Sequence, residues 1–265
     1  MEMIWLPEGI RRQTEGERFR EETIGASGFR VLIGEETVLK IGPQSGETER
    51  ERRVLSWLEG RLPVPRLLAY ETAEGRAYTL MTRLKGRMLC DAVYLDDPER
   101  LRRLLAQALE QLAAVDTAAC PCEQRLDTVL EEARRRVERR QVDTAACEPG
   151  TFGPDGFRDP EALLVWLEAN RPGEEELCFT HGDLCLPNIL AEGDRITGFI
   201  DCGGMGTADR WRDLALCLRS LQKNLAGDYG GPRRDGYAPD ALLAALGLRM
   251  DTEKYRYYLL LDELF

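Results

Sequence analysis

Histidine is nearly missing from this chain: His181 is the one such residue among 265. That count excludes metal centres built from several imidazoles and proton relays between histidines. Cysteine occurs eight times, as Cys90, Cys120, Cys122, Cys147, Cys178, Cys185, Cys202 and Cys217, yet no two form a Cys-x-x-Cys pair. The spacing carries neither a zinc pattern nor a disulfide framework, so most of these thiols read as small buried apolar groups. No segment approaches the roughly 20 consecutive apolar residues that cross a bilayer. The opening stretch MEMIWLPEGIRRQTEGERF lacks a cationic leader followed by an apolar core, and a cytoplasmic protein is expected. Positive charge is in deficit, with 36 Lys and Arg against 47 Asp and Glu and a formal net charge of −11. Binding to a phosphate backbone needs cationic surface that displaces counterions, so neither nucleic acid nor membrane is expected as a partner.

What is present describes an ordinary globular protein: 43% hydrophobic and 31% charged residues, in a chain long enough for one large domain or two lobes. The first part alternates like a sheet. Segments 29-FRVLIG-34 and 36-ETVLKIG-42 meet at Gly34-Glu35 as a hairpin, and 62-LPVPRLLAYE-71 and 76-RAYTLMTRL-84 return to strand pattern. Between them 47-ETERERRVLSWLEG-60 predicts a helix with Val54, Leu55 and Leu58 on one face and a stop at Gly60. After Gly86 helices dominate. Asp97-Pro98 and Asp159-Pro160 are N-cap and first-turn pairs opening helices over 98–116 and 160–169. Further helices are expected over 123–141, 210–225 and 253–265, with a Gly/Pro-rich loop over 226–240. The pattern predicts an α+β chain of two lobes, a β-rich one over 1–82 and a mostly helical one over 83–265, with a linker near 81–86 and a cleft between them.

The chemistry concentrates in 180-THGDLCLPNILAEGDRITGFID-201. Strands 188–192 and 195–201 flank Gly193-Asp194, a tight-turn signal that brings Asn188 and Asp201 to the same end of a hairpin. Asp183 lies on the loop feeding it. Two carboxylates and an amide oxygen there suit a hard cation such as Mg²⁺ with Asn188 and Asp201 as ligands, and leave Asp183 to accept a proton from a hydroxyl. Each residue alone is common in turns; the spacing and the hairpin together carry the reading.

The string 181-HGDLCLPN-188, with 199-FIDCG-203, 209-DRWRDLA-215, 56-SWLEGRLPVPRLL-68 and 258-YLLLDELF-265, closely resembles the aminoglycoside 3′-phosphotransferases, bacterial antibiotic-resistance enzymes with a bilobal protein-kinase-like fold. The resemblance spans nearly the whole chain. It implies transfer of the ATP γ-phosphate to the 3′-hydroxyl of a kanamycin- or neomycin-like antibiotic, with ATP and Mg²⁺ as cofactors and Asp183 as catalytic base. It implies Lys40 on the α- and β-phosphates, Glu51 as its ion-pair partner, Ser27 on the loop over the phosphates, and Met81 and Thr82 beside adenine. For the polycationic substrate it implies Asp183, Glu148, Arg219, Asp262, Glu263 and Phe265, since a polyamine needs carboxylates more than apolar surface. A monomer or weak dimer is expected. The chain departs from the family at Gly204, where an arginine is common, in the less acidic loop 142–156, and at Val38, where some members carry an aromatic residue. The other readings left open are the same fold acting on a different hydroxyl compound, and a kinase-like protein that binds cationic ligands without catalysis.

Overall fold

The computed structural model describes residues 5–22, 29–235 and 238–265. Its first part runs α1 (Glu8–Gln13), β1 (Arg20–Glu22), β2 (Arg30–Ile33), β3 (Thr37–Pro43), α2 (Gly46–Leu58), β4 (Leu67–Ala73) and β5 (Arg76–Thr82). The strands form one antiparallel sheet in the order β1-β2-β3-β5-β4. The expected hairpin joins β2 to β3, with the Gly34 amide donating to the Thr37 carbonyl at 2.9 Å. Ile10, Leu32, Leu39, Ile41, Tyr78 and Leu80 form its small core.

Helix α2 begins in a capping box: the Ser45 hydroxyl accepts from the Thr48 amide and the Thr48 side chain accepts from the Ser45 amide. The predicted stop holds, with Gly60 at φ +74°, a conformation only glycine adopts without strain. The apolar stripe Val54, Leu55 and Leu58 does not join the sheet's core. It belongs to the larger cluster with Phe179, Phe199 and Cys202, so α2 packs onto the turn at 202–204. Burial of that stripe carries the polar face of the helix to the edge of the 181–204 region.

The remainder comprises β6 (Arg87–Met88), α3 (Ala92–Leu95), α4 (Pro98–Ala113), α5 (Leu126–Glu138), α6 (Pro160–Ala169), β7 (Leu177–Thr180), β8 (Ile189–Glu192), β9 (Arg195–Phe199), β10 (Gly206–Asp209), α7 (Arg210–Ala226), α8 (Pro239–Ala245) and α9 (Thr252–Asp262). Asp97 and Asp159 cap α4 and α6 through side chains that accept from the Arg100 and Ala162 amides, with Pro98 and Pro160 in the first turn. The α4 stripe is buried at Leu101, Leu104, Leu105, Ala108 and Leu112, while Leu109 is partly covered. Helix α5 starts later than the sequence pattern suggests. Glu123 forms a bridge with Thr207, and the Gln124 amide donates to the Thr207 carbonyl at 2.9 Å, so the backbone there serves a strand edge instead of a first helical turn.

Three pairings were not anticipated. β1 extends the large sheet; β6 adds to the β8–β9 hairpin; β7 and β10 pair antiparallel, with Thr180 opposite Gly206. Helix α8 also begins within the expected 226–240 loop. All eight cysteines are free, but only Cys122, Cys202 and Cys217 are buried; the other five are partly exposed. No helix among the described residues is long and apolar enough to cross a membrane.

Removing the Ser45 cap strips a partner from the orphan amides of α2. Ser45→Ala is expected to lower unfolding free energy by about 1 kcal/mol, measured by urea titration.

Candidate active site

Strand β7 delivers the chain to His181, whose side chain is fully buried. The Asp183 amide donates to its Nδ1 at 3.3 Å and its Nε2 meets the Ile200 carbonyl at 2.9 Å. Those partners assign the neutral tautomer with hydrogen on Nε2. The imidazole therefore ties the loop before Asp183 to the residue before Asp201. The hairpin makes a second tie, because the Ile200 amide donates to the Asn188 carbonyl at 3.0 Å. Asn188 Nδ2 donates to Asp183 Oδ2 at 2.9 Å and to the Asp183 carbonyl at 3.0 Å, and the Cys185 thiol donates to Asp183 Oδ1 at 3.0 Å. Burial and the adjacent Asp183 charge push the Cys185 thiol far above its ordinary value, so it stays protonated as a donor.

A carboxylate that sequence reasoning passed over fixes this loop. Asp213, 2% exposed, accepts from the His181 amide at 2.7 Å and from the Gly182 amide at 2.8 Å. Burial pushes its carboxyl above the ordinary range, while the two amides that donate to it act against that shift. Gly182 sits at φ +84°, and a Cβ there would fall 2.2 Å from the Gly204 carbonyl oxygen. The loop and the 202–204 turn thus pass too closely for any side chain at 182. Asp213 lies within the quoted stretch 209-DRWRDLA-215, in the first turn of α7, but nothing in its spacing points to a target.

Asp201 adopts φ +61° and ψ 56°, left-handed for a residue with a side chain. Its Oδ1 lies 2.6 Å from Lys40 Nζ, which is also 3.3 Å from Glu51 Oε1. Lys40 is 8% exposed and its ammonium lies 4.7 Å from the centroid of the Phe29 ring. Burial works against the charged amine, but Glu51 and Asp201 outweigh it and hold the pKa above its ordinary value. Partial loss of hydration raises Asp201 too, although its side chain stays 43% exposed, and Lys40 outweighs that rise, keeping the carboxyl low. Glu51 is raised by burial, with Lys40 opposing. Strand β3, helix α2 and the end of the β8–β9 hairpin therefore meet at one ammonium.

Met81, 7% exposed, stands opposite Val38 in the β3–β5 register. Thr82 is committed: its amide donates to the Arg66 carbonyl and its hydroxyl accepts from the Arg66 amide, both at 2.9 Å. Ser27 lies outside the described residues.

The residues expected to bind substrate gather where α7, α9 and the 142–156 loop converge. Each carboxylate there already faces a cation. Arg219 pairs with Asp262 and lies 3.8 Å from Glu263; Lys223 Nζ is 2.5 Å from Glu148 Oε2; the Glu148 amide donates to Glu263 Oε2 at 2.9 Å. Burial raises Asp262, Arg219 opposes, and the Asp183 charge adds to the rise, a sign that this cluster and the loop share one field. Phe265 is 43% exposed, with the Arg136 guanidinium 5.5 Å from its ring. Lys223 and Arg212 escaped the sequence reading. The i, i+4 spacing of Arg219 and Lys223 on a helix was the available signal for the first. Arg212 reaches only Gln124, at 3.4 Å, and has no ion-pair partner among the described residues; burial lowers its pKa. Near Gly204 the chain supplies a different cation, since Arg50 from α2 donates to the Gly203 carbonyl at 3.3 Å while pairing with Glu132.

Residues 19–248 match the model of the phosphotransferase enzyme family. The chain belongs to that family. This phosphotransferase is 34% identical to an aminoglycoside 3′-phosphotransferase of Enterococcus faecalis over 97% of both chains. It is 36% identical to a streptomycin 3″-kinase of Streptomyces griseus, covering 82% of this chain and 79% of the other. Among solved structures, an aminoglycoside-3′-phosphotransferase of type VIII superposes with a TM-score of 0.77 at 31% identity, covering 97% of each chain. The aminoglycoside phosphotransferase APH(3″)-Id from Streptomyces rimosus gives 0.80 at 27% identity over 96% of this chain and 95% of that one. The phosphotransferase thus has the α+β, kinase-like fold of these enzymes.

The lowered Asp201 carboxyl fixes a sign. Its pairing with Lys40 stabilises the fold above the usual carboxylate range, and that contribution is lost as pH falls through the lowered value. Asp201→Asn, which tolerates the left-handed backbone, is expected to be less stable than the parent at pH 7, with the difference shrinking below about pH 4. Denaturant titrations across that range read the convergence.

Proposed function

We propose that this phosphotransferase moves the γ-phosphate of ATP to the 3′-hydroxyl of a kanamycin- or neomycin-like aminoglycoside in the cytoplasm, and so confers resistance. The observation that carries the reading is the state of Asp183. Its carboxylate is held by Asn188 and Cys185, has no ion-pair partner among the described residues, and shares a field with the acidic cluster around Asp262. A substrate hydroxyl hydrogen-bonded to Asp183 is oriented for attack and gives up its proton there as the oxygen–phosphorus bond forms. The bond to the leaving ADP oxygen breaks at the same centre.

The nucleotide lies against the sheet. Lys40 contacts its phosphates, Glu51 holds Lys40 in place, and Met81 and Thr82 flank adenine. Since the Thr82 amide and hydroxyl already serve Arg66, the Thr82 backbone contribution falls to its carbonyl.

Asn188 and Asp201 suit Mg²⁺. No group of three or more His, Cys, Asp or Glu among the described residues is arranged to hold a metal, and one amide plus one carboxylate matches a cation that completes its shell with phosphates and water. Lys40 engages Asp201 through Oδ1, and Asn188 donates through Nδ2, so Asp201 Oδ2 and Asn188 Oδ1 are the donors. When bound, Mg²⁺ neutralises charge on the phosphate oxygens. Substrate ammonium groups dock on Glu148, Asp262 and Glu263, beside Phe265, with Arg219 holding Asp262 in position.

A second reading is transfer to a 3″-hydroxyl, favoured by the comparable identity to the streptomycin 3″-kinase and the superposition on APH(3″)-Id. A panel of kanamycin, its 3′-deoxy analogue and streptomycin, with mass spectrometry of the products, separates the two. The 3′ reading expects phosphorylated kanamycin and no product from the deoxy analogue; turnover of streptomycin alone would sink it. Asp183→Ala is expected to lower kcat by ~10²–10⁴-fold while leaving ATP affinity near the parent value, and near-parental turnover would remove Asp183 from the mechanism.

A further inference from the structure

We infer that Lys223 sets the charge of the substrate this enzyme accepts, by acting as a built-in counterion at the position on Glu148 that a substrate ammonium would otherwise fill. The inference rests on the proposed aminoglycoside reading. Three carboxylates (Glu148, Asp262 and Glu263) meet two cations, Arg219 and Lys223, so the cluster presents one net negative charge instead of three.

The two cations are held differently. Arg219, with a side chain 17% exposed, is shared between Asp262 and Glu263 and sits in the wall of the cluster. Lys223 has a single carboxylate partner, Glu148, and the two side chains are 24% and 31% exposed, open to exchange with solvent and solute. Glu148 itself does not depend on Lys223 for its place. Its amide donates to Glu263 Oε2 at 2.9 Å, and its carbonyl accepts from the Thr151 amide at 3.0 Å. The ring of Tyr229, 62% exposed, lies 5.9 Å from Lys223 Nζ and flanks the same opening.

A substrate amine at Glu148 must displace the lysine and tolerate its charge nearby, whereas a substrate hydroxyl at that point can accept from it. The native site therefore discriminates against the more amine-rich of two otherwise equal antibiotics. Removing the lysine frees a carboxylate that remains in position.

The test uses the full chain with two 3′-hydroxyl aminoglycosides that differ only by one amine in place of one hydroxyl, paromomycin and neomycin. Lys223→Gln is expected to shift the ratio of kcat/KM about fivefold toward neomycin, through KM, and Lys223→Arg to keep the parental ratio. A merely structural lysine would change thermal stability and both substrates alike, and an unshifted ratio in a folded Lys223→Gln enzyme overturns the inference while leaving the proposed activity standing. A parent enzyme that phosphorylates neither antibiotic overturns this inference, and one that also leaves kanamycin untouched overturns the proposed function with it.

Discussion

One buried carboxylate holds the reactive loop, and much of the helical region exists to place it. Asp213 captures two successive amides, at His181 and Gly182, and no cation among the described residues neutralises it through a direct ion pair. Burying an ionised carboxylate is costly unless donors replace the lost water. Here the donors are two backbone amides, and the first turn of α7 adds the favourable end of the helix dipole. The helix is in turn anchored at its start: Asp209 caps it and meets both Lys254 Nζ, at 2.9 Å, and the Tyr258 hydroxyl, at 3.1 Å, from α9. Contacts from α9 thus fix the start of α7 at Asp209, Asp213 on the same helix holds the loop, and His181 carries the tie to the residue before Asp201.

The second constraint is the Lys40 ammonium, which draws β3, α2 and the hairpin end together. Two carboxylates about one cation leave the group with excess negative charge, tolerable because Asp201 is substantially exposed to water while Glu51 is buried. This division suits phosphate chemistry: the buried member fixes the lysine, and the exposed one keeps an oxygen for other partners. The apolar stripe of α2, sunk into the neighbouring core, anchors the helix that carries Glu51.

The local rules were legible wherever chemistry and chain position coincide. Asp97-Pro98, Asp159-Pro160 and the Gly193 turn each declare an element with nearby residues alone, and the hairpin gathers Asp183, Asn188 and the residue before Asp201 as their spacing suggested. What stayed hidden depends on partners far along the chain. Segment 206-GTAD-209 has weak strand character of its own and becomes β10 because β7 lies beside it. Asp213 reads as one more acidic residue at a helix start until the amides 31 and 32 positions earlier fall beneath it. Charge composition was misleading where α7 and α9 meet: the acids Glu148, Asp262 and Glu263 were visible, but Lys223, which answers Glu148, comes from another helix.

The solitary imidazole has an experimental consequence. Because His181 is fully buried and bonded at both nitrogens, its ring gives one isolated set of nuclear magnetic resonance signals in a chain with no other histidine to overlap it. Nature has placed a single spectroscopic reporter between the loop at Asp183 and the strand end at Asp201, and any ligand that tightens or loosens that junction registers there without engineering a label.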